Sequence, residues 1–444
     1  MADNGYETGR GLSRRRFLKL AGVAAMGAAG APWLIDPARA QVRTSARVVI
    51  AGAGAGGLAM ASRLSRLLDG ARITIVDSRE IHWYQPGFTL IAGGVWAPDR
   101  VTTPNSAFMP GGVEWIKADI AEFDPDGNRV VTDQGQTVRY DYLVVATGLE
   151  LDYGDIEGME RSLIGQHGIG SVYAGPQHAA ATWATMQAFV EGGGLGIFGR
   201  PPGGIKCAGA PLKMTLLTDY HLREAGRRGR AELIYAAHND ALFGVAPVNE
   251  RVTEMFGSRG IEPQYSHVLK AVDPGRRTAT FDTPDGDATL DYDFLHVVPP
   301  MSPPDPVTNS ALAWQEGPFS DKGWLEVDQY TMRHRRYPNV FGIGDVNGIP
   351  KGKTAASVKA QAPVVAGNLV RVIEDREPTH RYNGYTSCPL VTAVGQAMLV
   401  EFDYEGNLIP SFPFLDPLEP SWVPWMMEEL MLRPAYDAVL RGRI

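Results

Sequence analysis

The sequence predicts an α/β fold made of two Rossmann-type, dinucleotide-binding domains, the second inserted into the first, with a separate C-terminal segment. Three observations lead to this prediction. A strand, a glycine turn and an amphipathic helix follow one another in Arg47–Leu67. After about Ile156 the pattern changes to a helix and new strands, one of them at Leu195–Phe198. A strand at Asn339–Ile343 and a helix at about Thr354–Ile373 then return to the first domain.

The domain boundaries follow from these changes of pattern. A chain of 444 residues is too long for one ordinary core, so two or three domains are expected. The first domain takes residues 41–155 and 324–380, the inserted domain takes 156–323, and the C-terminal segment takes 381–444. A stiff proline-rich connector, Pro299–Pro304, lies near the end of the inserted domain.

The charge balance excludes one class of partner. The chain has 42 Lys and Arg against 50 Asp and Glu. Basic residues form no long run beyond the N-terminus, so nucleic-acid binding is not expected. Apolar and charged contents are those of a soluble globular protein.

Residues 1–40 have the pattern of an export signal. Ser13–Lys19 contains twin arginines, Leu20–Leu34 is apolar and rich in small residues, and Ala38–Ala40 forms a small-x-small cleavage site. This order predicts a twin-arginine signal, which carries folded proteins, and a mature chain that starts at Gln41. The protein is then periplasmic, either soluble or on the membrane surface. A basic disordered tail and an uncleaved anchor are the alternatives, although the apolar stretch is short for a span.

The first glycine turn has the features of a dinucleotide site. Gly52 makes the turn, Gly54 lets the backbone approach a pyrophosphate at the helix N-terminus, and Gly57 permits close helix packing. Asp77 ends the next strand, where it would accept hydrogen bonds from a ribose diol. A glycine-rich turn without a ligand would leave Asp77 unexplained.

Two further elements favour FAD over NAD. Ala146-Thr147-Gly148 resembles the A-T-G turn of flavoproteins of the glutathione-reductase class. Val340–Asp345 resembles the strand that in those proteins places an aspartate on the ribityl chain and pyrophosphate. The resemblance assigns Thr147, Gly148, Gly344 and Asp345 to the FAD site, in a domain interrupted by an insertion.

The inserted domain departs from that class. A second glycine fingerprint for NAD(P)H would lie at Gly196–Gly204, but Pro201 and Pro202 stand where the helix N-terminus should begin. Proline there would disrupt a tight phosphate-binding turn, so we expect no nicotinamide site.

The chain has two cysteines, Cys207 and Cys388. In an exported protein an even count indicates a structural disulfide. Each cysteine, however, stands among Gly, Pro or Ser residues, which predicts a turn that presents the side chain at a site. One belongs to the inserted domain and the other to the C-terminal segment, so the pair can meet over the flavin.

Several stretches resemble sulfide:quinone oxidoreductases, in particular the mitochondrial-type branch, and the resemblance covers nearly everything after Ala46. The stretches are Tyr84–Pro86 with Thr89 and Leu90, Gly112–Ala118, Lys206–Pro211, Leu295–Val297 with Pro299–Pro304, His334–Asp345 and Tyr385–Leu390. It implies sulfide as substrate, a membrane quinone as acceptor, and Gln85 among the residues at the cofactor.

Departures from related families refine this expectation. The third cysteine of the commoner bacterial branch is absent, which implies a two-cysteine mechanism. Flavocytochrome c sulfide dehydrogenases attach FAD through a cysteine in the segment that corresponds to Tyr84–Gly94. This segment has none here, so the FAD is expected to be non-covalent. No haem or metal motif occurs, and a cytochrome would be a separate subunit.

The resemblance also implies roles for individual residues. Hydrosulfide attacks a disulfide as any thiolate does, and by the family pattern Cys388 carries the persulfide while Cys207 faces the flavin. A second nucleophile, the sulfane-sulfur acceptor, then removes the sulfur. Lys353 is assigned the role of stabilising negative charge on the reduced flavin, and the alternative is that it is an exposed lysine at a helix cap. His296 is assigned a role in proton transfer, and the alternative is that it is a histidine packed in the core.

The C-terminal segment bears on the electron acceptor. It is rich in aromatic residues and methionine and has basic flanks: Trp422, Trp425, Met426, Met427, Leu430, Met431 and Leu432, with Arg433, Arg441 and Arg443. Such a stretch predicts a membrane interface and a path for quinone, whereas a homo-oligomer contact or a core helix is the alternative. Two other functions stay open: the flavoprotein subunit of a sulfide dehydrogenase that reduces a cytochrome c, and a flavin-binding sulfur carrier without turnover.

Overall fold

The structure is a computed structural model that describes residues 41–444. The predicted export signal at residues 1–40 lies outside the described residues. The strands of the two large sheets and of the C-terminal hairpin are, in chain order, β1 (Arg47–Ala51), β2 (Arg72–Val76), β3 (Glu114–Ile116), β4 (Tyr142–Val145), β5 (Ile169–Gly170), β6 (Gly194–Arg200), β7 (Ala231–Ala237), β8 (Ile261–Tyr265), β9 (Phe294–His296), β10 (Val340–Gly342), β11 (Thr386–Ala393) and β12 (Gln396–Phe402).

Helices cover these sheets and form the C-terminal end. They are α1 (Ala55–Leu67), α2 (Phe88–Ala92), α3 (Pro176–Gly192), α4 (Ala210–Glu224), α5 (Ala246–Arg259), α6 (Asp305–Thr308), α7 (Ala355–Ile373), α8 (Trp422–Met426) and α9 (Leu432–Leu440), with a π-helical turn at Met427–Met431. Among the described residues, none of these helices combines the length and apolar character that crossing a bilayer requires.

The first sheet is parallel and has the order β10-β4-β1-β2-β3. β1 and β4 are runs of buried aliphatic residues, as expected for strands covered on both faces. β10 lies beside β4, with Val340 opposite Leu143 and Gly342 opposite Val145. The chain therefore returns to the first sheet after the whole of the second sheet has been made.

The second sheet is also parallel, with the order β5-β9-β6-β7-β8. Each large sheet is accompanied by a three-stranded antiparallel sheet. The strands of these smaller sheets are Ile120–Asp124, Arg129–Thr132 and Thr137–Arg139 in one, and Val268–Asp273, Thr278–Thr283 and Gly286–Asp291 in the other. Two parallel sheets with helices confirm the predicted pair of Rossmann-type units, whereas the boundaries at residues 155, 323 and 380 stay predictions.

The first glycine turn shows why these residues must be glycine. A Cβ on Gly57 would lie 1.8 Å from the carbonyl oxygen of Gly52, so α1 can begin here only without a side chain. Gly52 has φ of 110°, and a Cβ there would lie 2.5 Å from the carbonyl oxygen of Ala146. The turn thus brings the ends of β1 and β4 together at the N-terminus of α1.

Candidate active site

The carboxylate of Asp77 holds the glycine turn in place. Its Oδ2 accepts a hydrogen bond from the backbone N–H of Ala53 at 2.6 Å, and the Arg79 guanidinium forms an ion pair with it at 2.8 Å. Burial opposes ionisation, but these bonds keep the pKa of Asp77 below its usual value. Both carboxylate oxygens therefore already accept hydrogen bonds from Ala53 or Arg79, besides the ribose contact that the sequence predicts.

The residues around this turn fit a dinucleotide. A Cβ on Gly54 would meet only the Arg79 guanidinium, at 4.0 Å, so the space above the turn is open. Gly148 has φ of 75° with open space beside it, and the buried Oγ1 of Thr147 lacks a hydrogen-bond partner. Burial raises the pKa of the Asp345 carboxyl, while Lys353 and Lys206 lower it.

Lys353 contacts both the Asp345 segment and Cys207. Its Nζ donates to the backbone oxygens of Asp345 at 2.5 Å and Asn347 at 3.0 Å, and it lies 3.5 Å from the centre of the Trp324 ring. Burial lowers the pKa of Lys353 to about 7. Its backbone oxygen accepts a hydrogen bond from the N–H of Cys207 at 3.0 Å. The structure therefore places Lys353 between Asp345 and Cys207, rather than as an exposed helix cap.

The two cysteines lie together as free thiols, hydrogen-bonded to each other. The thiol of Cys388 donates to the sulfur of Cys207, which lowers the pKa of Cys207 and raises that of Cys388. Cys207 is half-buried and has φ of 49°, a left-handed conformation that a residue with a Cβ seldom adopts. Residues held in this conformation are enriched at active sites and ligand-binding sites.

The predicted surroundings of Cys388 are wrong. This residue lies inside strand β11, opposite Val400 of β12, and is only 5% exposed. The Ser and Pro beside it predict a turn, but hairpin pairing in the C-terminal segment overrides that local preference. The pair meets because β11 packs against α4, which begins just after Cys207.

A buried lysine lies beneath the thiols. Lys213, in the first turns of α4, is 2% exposed and donates a hydrogen bond to Cys207. Burial opposes its charge, yet the two cysteines and Glu428 raise its pKa. The positive charge of Lys213 in turn lowers the pKa of Cys207. The arrangement favours a Cys207 thiolate beside a Cys388 thiol.

Glu428 is an acidic residue of the C-terminal segment that raises the pKa of Lys213. It lies in the π-helical turn, is 2% exposed, and its Oε2 has no hydrogen-bond partner. Burial raises its pKa to about 7, with Lys213 lowering it and Cys207 raising it further. The site therefore contains a buried thiolate, a buried lysine and a buried carboxyl group.

Sequence reasoning missed both Lys213 and Glu428. A lysine in the first turn of a helix, between Leu212 and Met214, opposes the helix dipole, which is one signal for Lys213. An acid within the aromatic and methionine-rich stretch is the corresponding signal for Glu428. Neither signal identifies a partner, because that requires the packing of α4 against the C-terminal segment.

His296 lies apart from the thiols. It is 2% exposed, stacks on Phe198, and lines a cavity of about 590 Å³ at the carboxyl ends of the second sheet's strands. Burial lowers its pKa to about 3, so it is neutral at physiological pH. Gln85 lies in a 3-10 turn with an exposed side chain. The structure therefore does not bring His296 into the thiol cluster.

The second sheet differs from the first at its equivalent turn. β6 ends at Arg200, and Pro201 and Pro202 follow it. Helix α4 begins only at Ala210, so residues 201–209 form a loop that ends at the thiol pair. Where the first domain has a helix N-terminus directly after the strand, the second domain has the loop that carries Cys207.

Comparisons with known proteins agree with this architecture. Residues 46–362 match the family described as pyridine nucleotide-disulphide oxidoreductase. The mitochondrial sulfide:quinone oxidoreductase of Mus musculus is 36% identical over 398 residues, covering 89% of this chain and 86% of that protein. The chain belongs to the sulfide:quinone oxidoreductase family.

Other members of the family support the same conclusion. The mitochondrial sulfide:quinone oxidoreductase of Dictyostelium discoideum is 36% identical over 405 residues, covering 91% of this chain and 88% of that protein. The crystal structure of the sulfide:quinone oxidoreductase of Aquifex aeolicus has a TM-score of 0.73 and 23% identity, covering 91% of this chain and 92% of that one. This second similarity confirms the fold.

As a sulfide:quinone oxidoreductase family member, the chain is a flavoprotein whose cofactor is FAD. The open space above Gly54 and the unpartnered hydroxyl of Thr147 fit that group. The glycine turn would hold its pyrophosphate, with Gly148 and Asp345 alongside. When bound, FAD supplies an acceptor for two electrons from the thiol pair.

Proposed function

We propose that this chain oxidises sulfide at Cys207 and Cys388, with FAD taking the electrons and a quinone receiving them. The observation that carries the proposal is the hydrogen-bonded thiol pair beside buried Lys213, connected through Lys353 to the backbone of Asp345. The named activity of the mitochondrial relatives supplies the substrate and the acceptor.

The chemistry begins with the oxidised pair. Hydrosulfide attacks the sulfur of Cys388 in the disulfide, and the bond to Cys207 breaks. Cys388 then carries a persulfide and Cys207 a thiolate, so the single negative charge of the attacking ion is conserved. Lys213 stabilises this thiolate, since its charge lowers the pKa of Cys207. A sulfane-sulfur acceptor then removes the outer sulfur from Cys388.

We also propose the two-cysteine mechanism and a non-covalent FAD. The chain has cysteines at positions 207 and 388 alone, so neither a third redox cysteine nor a cysteine tether for the flavin is available. Flavin released by mild acid and analysed by mass spectrometry should have the mass of free FAD, with apoprotein of unmodified mass.

The cellular location is a separate proposal. The twin-arginine pattern of residues 1–40 supports export to the periplasm. In the C-terminal segment Leu430 and Met431 are about half exposed and Phe414 is 66% exposed, which favours contact with a membrane surface, whereas Trp425 is buried in the protein. The alternative is that this surface contacts a second copy of the chain in a homo-oligomer. Sedimentation with anionic vesicles, and loss of it in Leu430→Ser with Met431→Ser, tests the membrane contact.

One experiment tests the acceptor. FAD-loaded protein is mixed anaerobically with sulfide and a soluble quinone analogue, and quinone reduction is followed in wild type and in Cys388→Ser. We expect turnover in wild type and none in the variant. If the protein reduced a cytochrome c but not the quinone, the cytochrome would be the electron acceptor in place of the quinone. Flavin bleaching without turnover to either acceptor would instead favour a sulfur carrier.

A further inference from the structure

Glu428 and the thiol pair face the same positive charge. The groups that interact electrostatically with Glu428 are Lys213 on α4, Cys207 and Cys388, and Tyr84 from the segment before α2. Burial raises the pKa of Tyr84 well above its usual value, so this phenol is neutral. Lys213 is therefore the cation that both Glu428 and Cys207 face.

The packing gives these groups little access to water. Lys213 and Glu428 are each 2% exposed and Cys388 is 5% exposed. A π-helical turn directs Glu428 inward, while its neighbours Leu430 and Met431 are exposed. Such turns within helices are frequent at functional sites. The unpartnered Oε2 of Glu428 means that hydrogen bonds to that oxygen do not stabilise its charged form.

The number of buried anions beside Lys213 determines whether Glu428 is protonated. An uncompensated ion in a buried site costs several kcal/mol, so one buried lysine stabilises one neighbouring anion well and two poorly. Lys206 is also near Cys207, but the first charge it interacts with is Asp345. When the pair is reduced, the Cys207 thiolate takes the charge of Lys213. When the pair is a disulfide, no thiolate exists and that charge is left to Glu428.

We propose that Glu428 is a redox-linked proton site, which binds a proton when the thiol pair is reduced and releases it when the disulfide re-forms. The proposal rests on the proposed function and deepens it. In the forward step the disulfide, hydrosulfide, the Glu428 carboxylate and one solvent proton give the Cys388 persulfide, the Cys207 thiolate and the protonated Glu428. In the return step a sulfane-sulfur acceptor takes the outer sulfur from Cys388, the two cysteine sulfurs lose two electrons, for which bound FAD would be the acceptor, and the disulfide re-forms while Glu428 releases its proton.

The proposal predicts a difference in proton count. Reduction of the bare disulfide by two electrons binds one proton at Cys388 and a second at Glu428. In Glu428→Gln only the first is bound. Glu429→Gln is the matched control, because its side chain is the neighbouring acid, is only half-buried, and is absent from the charges around the thiols. FAD contributes the same uptake in all three proteins.

The experiment measures proton uptake by the FAD-loaded protein with a pH indicator in weak buffer near pH 7, on anaerobic reduction by dithionite. We expect wild type and Glu429→Gln to bind about half a proton more per molecule than Glu428→Gln at pH 7, because the pKa of Glu428 is about 7 when the thiols are reduced. The reduced-minus-oxidised infrared spectrum should show a carboxylic acid carbonyl band in wild type that Glu428→Gln lacks. Equal uptake in all three, with the band retained, would overturn the proposal.

A second variant keeps the test decisive if Glu428→Gln folds poorly. Lys213→Met removes the cation, so Glu428 should stay protonated in both redox states and the carbonyl band should vanish from the difference spectrum. A band of wild-type size in Lys213→Met would contradict the proposal. Because dithionite replaces sulfide here, failure of sulfide to reduce the flavin would count against the proposed function alone.

Discussion

Replacing Lys213 with methionine removes the buried ammonium that donates to Cys207 and keeps most of the side-chain volume. A hydrogen bond to a charged partner contributes about 1.5–3 kcal/mol, and one pKa unit corresponds to about 1.4 kcal/mol. Loss of Lys213 should therefore raise the pKa of the Cys207 thiol by roughly one to two pH units. Below both pKa values the thiolate fraction, and with it the alkylation rate, should fall about ten- to a hundredfold.

The assay is alkylation of reduced, FAD-loaded protein by iodoacetamide across pH 4.5–9, with Cys207 and Cys388 distinguished by peptide mass. Lys359→Met is the control, since Lys359 is exposed on α7. Its pH profile should match that of wild type. If Lys213→Met also keeps the wild-type profile at Cys207, then Lys213 does not stabilise the thiolate and the electrostatic description of the site is wrong.

Three further predictions concern binding and stability. Gly54→Ala should change the free energy of unfolding of the apoprotein by less than about 0.5 kcal/mol, but it should weaken FAD binding in a fluorescence titration. Gly57→Ala should unfold the glycine turn, because its Cβ would lie 1.8 Å from a backbone oxygen. Asp219→Ala should lower the free energy of urea unfolding by about 3–5 kcal/mol, because the carboxylate, at 0% exposure, forms ion pairs with three arginines. Asp287→Ala, which removes an exposed ion pair with Lys270, should lower it by under about 1 kcal/mol. The folded pKa of Glu428 is raised to about 7, so the stability it contributes is complete below its unfolded value near 4.5 and is lost as pH rises to 7. Unfolding of the reduced protein at pH 5 and pH 8 should show a decline of about 2–3 kcal/mol that Glu428→Gln lacks, and an equal decline in that variant would contradict the assignment.

The sequence predicts the fold well where local and global preferences agree. The aliphatic run of β1, the glycine turn and α1 have one compatible arrangement, so the spacing of Gly52 and Gly57 is enough to identify the turn. The strand predicted at Asn339–Ile343 is found at Val340–Gly342, where it lies beside β4 as a strand of the first domain should.

The candidate site is only partly predictable for a physical reason. Cys207 and Cys388 stand out because they are the two cysteines of the chain, but their contact depends on β11 packing against α4. The turn predicted at Cys388 failed because pairing with β12 outweighs a single proline. Lys213 and Glu428 become visible only when burial brings their charges into one cluster.

The most direct test of sulfide oxidation by this thiol pair is an anaerobic titration of the FAD-loaded protein with sulfide, followed by the flavin absorbance. Wild type should bleach in proportion to added sulfide, and Cys388→Ser should not bleach, although dithionite should still reduce its flavin. Bleaching of Cys388→Ser by sulfide at the wild-type rate would contradict the disulfide mechanism.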